Sequence, residues 1–343
     1  MKIVIKYLIF CCLGWSTTSY ALPIIEHPLL IGNNERLVVF APHPDDETLS
    51  SAGLIHHVMM NSGSVRNVVV TAGDAYIEAI QRDTGKRHLK PNDFLIYGKK
   101  RLDESRHAAF ILGNGEIKLD LLGFSDGSIY SMLVSHWRRQ NPLRSDFTEV
   151  DRVPYLNAKS YKGLAQDGED LLLKLVNILH QTSPTLIAFP DVMENDSDHA
   201  GLGVFVLLAI HHWLSELPLI QQPPRLLAYL IHWQNNWPLG SNWGIALDWS
   251  QLPMRLPDDL PLRGHSRSCL VLNSKDIDLK RNALAQYQTQ QRAMGDFLAA
   301  FIRKTECYTL FNIESTKSIE SIVENWQHSQ KKFDKSPAKR SRI

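Results

Sequence analysis

"VVFAPHPDDETLSSAGLI", residues 38–55, decides the fold and poses a chemical problem. A β-rich run ends at Ala41. His43-Pro44-Asp45-Asp46-Glu47 follows, and an apolar helical stretch from Thr48 to Met60 begins at once. A strand that gives way to a helix across a short polar turn is the first half of a βαβ unit. Three consecutive carboxylates where a strand ends repel one another, and a positive charge among them relieves the repulsion. Two readings are open. In one, Asp45 or Asp46 caps the helix and Glu47 favours its dipole. In the other, the carboxylates surround a metal ion.

Outward from this stretch, strands and helices keep alternating. "RLVVFA" from Arg36, "NVVVTAGD" from Asn67, "IKLDLLGF" from Ile117, "TLIAFP" from Thr185, "RLLAYLIHW" from Arg225 and "SCLVLN" from Ser268 read as strands. "KKRLDESRHAAFILG" from Lys99, "DLLLKLVNILHQ" from Asp170 and "AGLGVFVLLAIHHWL" from Ala200 read as helices. A single long amphipathic helix is expected over 276–303. The segment up to Pro91 reads as a polar loop, and 130–161 as a surface excursion without a clear period. The alternation implies a mostly parallel sheet covered on both faces, in one domain. In such sheets the site lies beyond the carboxyl ends of the strands. The polar clusters sit there: His43 to Glu47, Asp74, Asp126 and the run Asp191 to His199.

The chain has 343 residues, 44% of them hydrophobic, with formal charge +1. Residues 1–21 carry Lys2 and Lys6 and no acid, and the tail 331–343 carries a net +5, so the body is −6. An acidic body argues against a nucleic-acid partner, which calls for a basic stripe. The basic tail reads as a solvated, disordered end. Residues 1–21 read as an export signal: a positive start, the apolar "YLIFCCLGW", and "SYA" before a cut at Leu22. A retained anchor is the competing reading. Once the signal is removed no stable membrane span is expected, and the protein is expected to be periplasmic or secreted. Cys269 and Cys307 remain, and in an oxidising compartment they can pair or stay as buried thiols.

In "FPDVMENDSDHAGLG" a strand ends at Pro190 and His199 opens the next helix. His43 and Asp46 from one strand end and His199 from another make a set suited to zinc, with a position left open for water. A bound metal lowers the pKa of such a water, which still needs a base, and Asp45 beside Asp46 is the candidate. "HWQNNWPLGSNW" places Trp233, Trp237 and Trp243 in one loop. Tryptophans among amides suit stacking on sugar rings, or simply pin the loop by packing.

"APHPDDE" after an apolar strand, with a downstream "DH" opening a helix, resembles the PIG-L/LmbE-like zinc de-N-acetylase family. "TAGD", "RLDESRHAAFILG", "LGFSDG" and "ALAQYQTQ" follow in the family's order. The resemblance implies a Rossmann-like three-layer α/β sandwich, here a single deacetylase-like domain over 22–330, that hydrolyses N-acetyl groups on amino sugars or related amides. It points to His43, Asp46 and His199 as zinc ligands and Asp45 as general base, and it puts Arg101 and Asp126 near the sugar. One departure matters. The family's "HPDH" is Asp196-Ser197-Asp198-His199 here. Asp198 is retained and joins Asp45 among the catalytic candidates. Asp196 replaces a histidine and can serve as an acid only if its pKa is raised. His232 is the candidate replacement, and His265 a weaker one.

The expected function is therefore an exported zinc-dependent deacetylase of an N-acetylated sugar or glycoconjugate. The rival is a non-catalytic glycan-binding protein that keeps fold and metal. The leader generates its own test: N-terminal sequencing of exported protein should start at Leu22, and a chain still beginning at Met1 would mean a retained anchor.

Overall fold

The computed structural model describes residues 26–155, 159–217, 222–240, 242, 247–261 and 265–312. The expected export signal and the basic tail lie outside them. Strands are β1 (Glu26–Pro28), β2 (Arg36–Ala41), β3 (Ser64–Thr71), β4 (Lys118–Phe124), β5 (Leu186–Pro190), β6 (Arg225–Tyr229), β7 (Ser266–Val271) and β8 (Thr305–Phe311). Helices are α1 (Asp46–Met60), α2 (Ile77–Thr84), α3 (Pro91–Gly113), α4 (Ile129–Val134), α5 (Gly168–Thr182), α6 (Ser197–Ser215), α7 (Ser274–Leu284) and α8 (Gln288–Ala299).

The strands form one sheet in the order β1-β7-β8-β6-β5-β2-β3-β4. Every neighbouring pair is parallel except those of β8, which runs antiparallel to β6 and β7. Alternation along each strand sorts side chains to two faces. Val38 and Phe40 of β2 pack with Leu171 and Leu175 of α5 and with Leu202 and Phe205 of α6. Leu37 and Val39 face the other way, towards Leu54 and Ile55 of α1, Leu112 of α3 and Leu284 of α7. The result is the expected three-layer sandwich with a mostly parallel sheet.

The chain leaves β2 towards β3 and β4, then returns to β5 on the opposite side of β2. That reversal makes a switch point, and its crevice opens at the carboxyl ends of β2 and β5. The two polar clusters of the sequence flank it.

Several elements differ from the sequence reading. The expected helix over 276–303 is two helices, because the chain turns at Ala285–Tyr287 to send the fully buried Tyr287 hydroxyl to Glu47. α2 and α4 fill stretches expected to be loop. β8 has no counterpart in the sequence reading: Glu306, its second residue, is a charge, buried and bonded to Lys280 at 2.8 Å. Glu306 also accepts the Gly53 and Leu54 N–H groups at 2.9 Å each, while Lys280 donates to Leu49 O at 2.7 Å. β8 and α7 thus grip the middle of α1. Cys269 and Cys307, opposite each other across β7 and β8, form a disulfide.

Removing one partner of a buried ion pair strands the other charge. Lys280→Met should lower unfolding free energy by about 3–5 kcal/mol in denaturant titrations. Adding Glu306→Gln should restore part of it, and an unchanged midpoint in the single variant would refute the grip.

Candidate metal centre

The turn between β2 and α1 is short, and Asp45 takes its strain. Its φ is 111°, in the left-handed region that a side chain rarely adopts, at a cost of about 1–3 kcal/mol. Neighbours hold it there. Its carbonyl accepts Thr48 N–H at 2.9 Å and Leu49 N–H at 2.8 Å. The buried Arg101 of α3 donates to Pro44 O at 2.7 Å, Gly73 O at 2.8 Å and Asp45 Oδ2 at 3.3 Å. The turn gives the two acids different partners: Asp45 faces Arg101, and Asp46 faces His43 and His199. Neither caps α1 with its side chain.

Asp46 Oδ2 accepts the His43 backbone N–H at 2.9 Å. It lies 3.2 Å from His43 Nδ1 and 3.2 Å from His199 Nε2. Tetrahedral zinc with bonds of about 2.0–2.1 Å spaces its ligands about 3.3 Å apart, which the two edges through Asp46 match, and all three side chains offer an atom within 4.8 Å of the others. His199 is wholly buried at the start of α6, and neither ring nitrogen has a hydrogen-bond partner. A buried, orphaned imidazole costs free energy unless something binds it, and a cation does. The other nitrogens face carboxylates. His43 Nε2 is 3.2 Å from Asp126 Oδ1 and 3.5 Å from Asp198 Oδ2, and His199 Nδ1 is 3.5 Å from Glu194 Oε1. Glu26 also approaches Cys269 and Cys307, but a disulfide offers no thiolate.

The charges sort the acids. Burial raises a carboxylate's pKa, and a nearby cation lowers it. For Asp46 the charge of His199 outweighs burial and holds it well below the ordinary value. Asp126 is held at about 2 against burial, mainly by His43. Asp45 is raised well above its ordinary value, chiefly by burial, with Arg101 opposing and Asp46 and Glu47 adding to the rise. Burial lifts Glu47, Asp74 and Glu194 to about 7 each. His232 is driven down to about 4 by burial and then by the charge of His199, so it is neutral.

A cavity of about 140 Å³ opens on these groups. His43, Asp45, Asp46, Arg101, Asp126, Asp196 and His232 line it, together with Leu49, Tyr76, Ile231, Gln290, Met294 and Phe297. The six residues of the second group were not singled out from sequence. Only Gln290 had a signal, inside "ALAQYQTQ". His232 stands 4.8 Å from the His199 ring and stacks on Phe297 at 5.5 Å.

Other residues fall elsewhere. Asp198 is behind His43, outside the cavity wall, and accepts Gly127 N–H at 2.8 Å and Ile129 N–H at 2.9 Å. Asp196 caps α6, accepting Asp198 N–H at 2.8 Å and His199 N–H at 3.2 Å. Although burial raises its pKa, the charges of His199 and then His43 prevail and lower it, the reverse of what an acid there requires. Glu47 is buried against Tyr287 and Thr48 rather than simply opening the helix. His265 stacks on Phe311, away from the cavity. Trp233 donates to Asp259 and Trp237 to Arg255 O, so both pin the 252–261 segment and neither lines the cavity. Trp243 lies outside the described residues.

Fold and cluster together define an α/β protein with a His–Asp–His centre at its switch point. A family model described as PIG-L: GlcNAc-PI de-N-acetylase matches residues 38–210, just over half of the chain and inclusive of His43, Asp46 and His199. The chain belongs to the PIG-L family and is a deacetylase, an amidohydrolase by class. No curated protein sequence matches it. Among solved structures, it is similar to the A40926 pseudoaglycone deacetylase Dbv21 at 17% identity and TM-score 0.47, covering 77% of this chain and 85% of that one. It is similar to the N,N'-diacetylchitobiose deacetylase from Pyrococcus horikoshii at 15% identity and TM-score 0.46, covering 81% and 84%. The zinc-inhibited form of teicoplanin deacetylase Orf2 shows 18% identity and TM-score 0.45, covering 76% and 86%.

Without metal, the pKa values of both histidines lie well above the ordinary 6.5. Burial alone would lower them, but Asp126 beside His43 and Asp46 beside His199 prevail. Ligation needs neutral imidazoles, so a metal must displace these protons, and rising pH removes its competitor. Apparent zinc affinity should therefore climb about ten- to a hundredfold per pH unit from about pH 6 to 8, with proton release in calorimetry. A folded His199→Ala protein should bind no zinc, and unchanged stoichiometry would exclude this ligand set.

Proposed function

We propose that the protein is an exported, zinc-dependent N-deacetylase of an amino sugar or glycoconjugate. The observation that carries this reading is the placement of Asp45. It is a buried carboxylate of raised pKa, held on a strained turn at the cavity wall, one residue from the metal-facing Asp46. A pure binding site has no use for such a group. His43, Asp46 and His199 would hold the metal. When bound, zinc polarises an amide carbonyl and lowers the pKa of a water to about 7.

The remaining work falls to side chains. Asp45 takes the proton of the attacking water and passes it to the departing amine, and its raised pKa suits both transfers. Arg101 keeps Asp45 in register. Three of its contacts go to the turns around the site, so it acts more on Asp45 than on the sugar. His232, neutral, supplies an N–H to the carbonyl oxygen as negative charge builds there, in place of the family's second histidine. Asp126 is open to the cavity and accepts from a sugar hydroxyl. The family description, with its GlcNAc headgroup, supports an N-acetylated hexosamine as substrate. The disulfide supports the export reading, because such bonds persist in oxidising compartments.

A second reading, a glycan-binding protein without turnover, draws on Asp196, which stands where the family has a histidine and cannot stabilise an oxyanion. Free-amine release from N-acetylated sugars by metal-reconstituted protein separates the two. Asp45→Asn should keep fold and metal and lose about a hundredfold or more in kcat. Asp46→Asn should lose metal. Near-normal turnover in Asp45→Asn would overturn the base assignment, and glycan binding by a wild type inert on every sugar would favour the second reading.

A further inference from the structure

One carboxylate joins both halves of the site. Glu194 lies in the loop after β5, its side chain wholly shielded from solvent. Oε1 accepts the Ile231 N–H at 2.5 Å and Oε2 the His232 N–H at 2.6 Å. Oε1 is also 3.5 Å from His199 Nδ1. The opposite nitrogen of that ring, Nε2, faces Asp46. The Asn195 N–H returns the link by donating to His232 O at 3.1 Å. The loop after β5 and the segment after β6 are therefore tied together around Glu194.

A neutral imidazole carries one N–H, and the group facing one nitrogen decides which nitrogen that is. Histidines that bind metals almost always donate the other N–H to a carboxylate or carbonyl, which fixes tautomer and ring angle. Glu194 is the carboxylate placed to do this for His199. It also fixes the backbone that carries His232, whose ring meets His199 edge-on.

We propose that Glu194 is a positioning residue. It holds His199 in the Nδ1–H tautomer, turns Nε2 towards Asp46, and with the same carboxylate sets His232 beside the cavity. The proposal rests on the reading of His43, Asp46 and His199 as a metal centre. It explains why this acid needs both oxygens. Glutamine has a single acceptor oxygen, and its amide group would oppose one of the two backbone donors. Glu194→Gln is therefore a disruptive change despite its equal size.

A staple with no role at the metal would alter stability alone, so the test reads the metal directly. Long-range proton–nitrogen NMR of the zinc-loaded wild type should show His199 protonated at Nδ1 and bound through Nε2. Glu194→Gln, checked for fold by circular dichroism, should lose about 10–100-fold in zinc affinity against a competing chelator. It should also shift the His232 ring signals. Asp120→Asn is the control. It breaks the buried Arg66–Asp120 pair, whose bond at 2.5 Å links β3 and β4, and should cost stability with zinc affinity unchanged. Metal on Nδ1 of His199, or unchanged zinc affinity in folded Glu194→Gln, would overturn the proposal. Should that variant not fold, the wild-type spectrum decides by itself. A wild type that binds no zinc would overturn the metal reading and this proposal with it, whereas zinc binding that is lost in His199→Ala and unaffected in Glu194→Gln would overturn this proposal alone.

Discussion

Carboxylates outnumber cations in the crevice between β2 and β5, and the surrounding structure is arranged around that imbalance. Asp46, Asp126 and Asp196 lie against the histidine charges and are held low. The others have to be satisfied by hydrogen-bond donors, because a buried carboxylate left bare is costly. Each is answered by a different part of the chain. Tyr287, at the break between α7 and α8, donates to Glu47, and Tyr155 of the surface excursion donates to Asp74. Backbone N–H groups of the turn after β4 serve Asp198, and those after β6 serve Glu194. Arg101 serves Asp45. A divalent cation among the histidines and Asp46 lets neighbouring acids ionise at neutral pH.

The same economy of contacts makes the centre stiff. Asp45 can occupy a left-handed backbone only because Arg101 and the first turn of α1 over-determine it. α1 is held further along by Lys280 and Glu306, from a helix and a strand more than two hundred residues away in sequence. The base role proposed for Asp45 needs a carboxylate within a fraction of an ångström of its productive place, and a helix gripped at two levels suits that.

The sheet and the His43–Asp46–His199 cluster were legible because their signals are local. "RLVVFA" and "TLIAFP" are short apolar runs, and the acids and histidines sit at their ends. What stayed hidden depends on partners distant in sequence. The buried Glu306 of β8 depends on Lys280, 26 residues away. Tyr287 sits in an unbroken helical pattern, and only the position of Glu47 accounts for the turn. Trp233 and Trp237 read either as sugar platforms or as pins of their own loop, and the bonds of their indole N–H groups to Asp259 and Arg255 O, distant in sequence, favour the second. Glu194 looked like one more acid in an acidic run. Its importance lies in facing Ile231, His232 and His199 at once, and no spacing in the sequence encodes that.

In the proposed mechanism the Asp196 departure moves a role across the sheet. A histidine at that position would stand on the β5 loop beside His199. An aspartate there turns back to cap α6, which anchors the helix that carries His199 but leaves the cavity without a donor from that side. Under the proposal His232, from the segment after β6, fills the gap. Burial, the largest cause, drives its pKa down, so it offers a neutral N–H and not a cation. Oxyanion stabilisation tolerates that exchange, because an aligned N–H in a dry site is effective without net charge. Proton delivery to the amine does not tolerate it, since a group with a pKa near 4 holds no proton to give at neutral pH. Under the proposed mechanism the proton that leaves water must therefore return through Asp45, and Arg101, by keeping that one carboxylate in place, bears on both transfers.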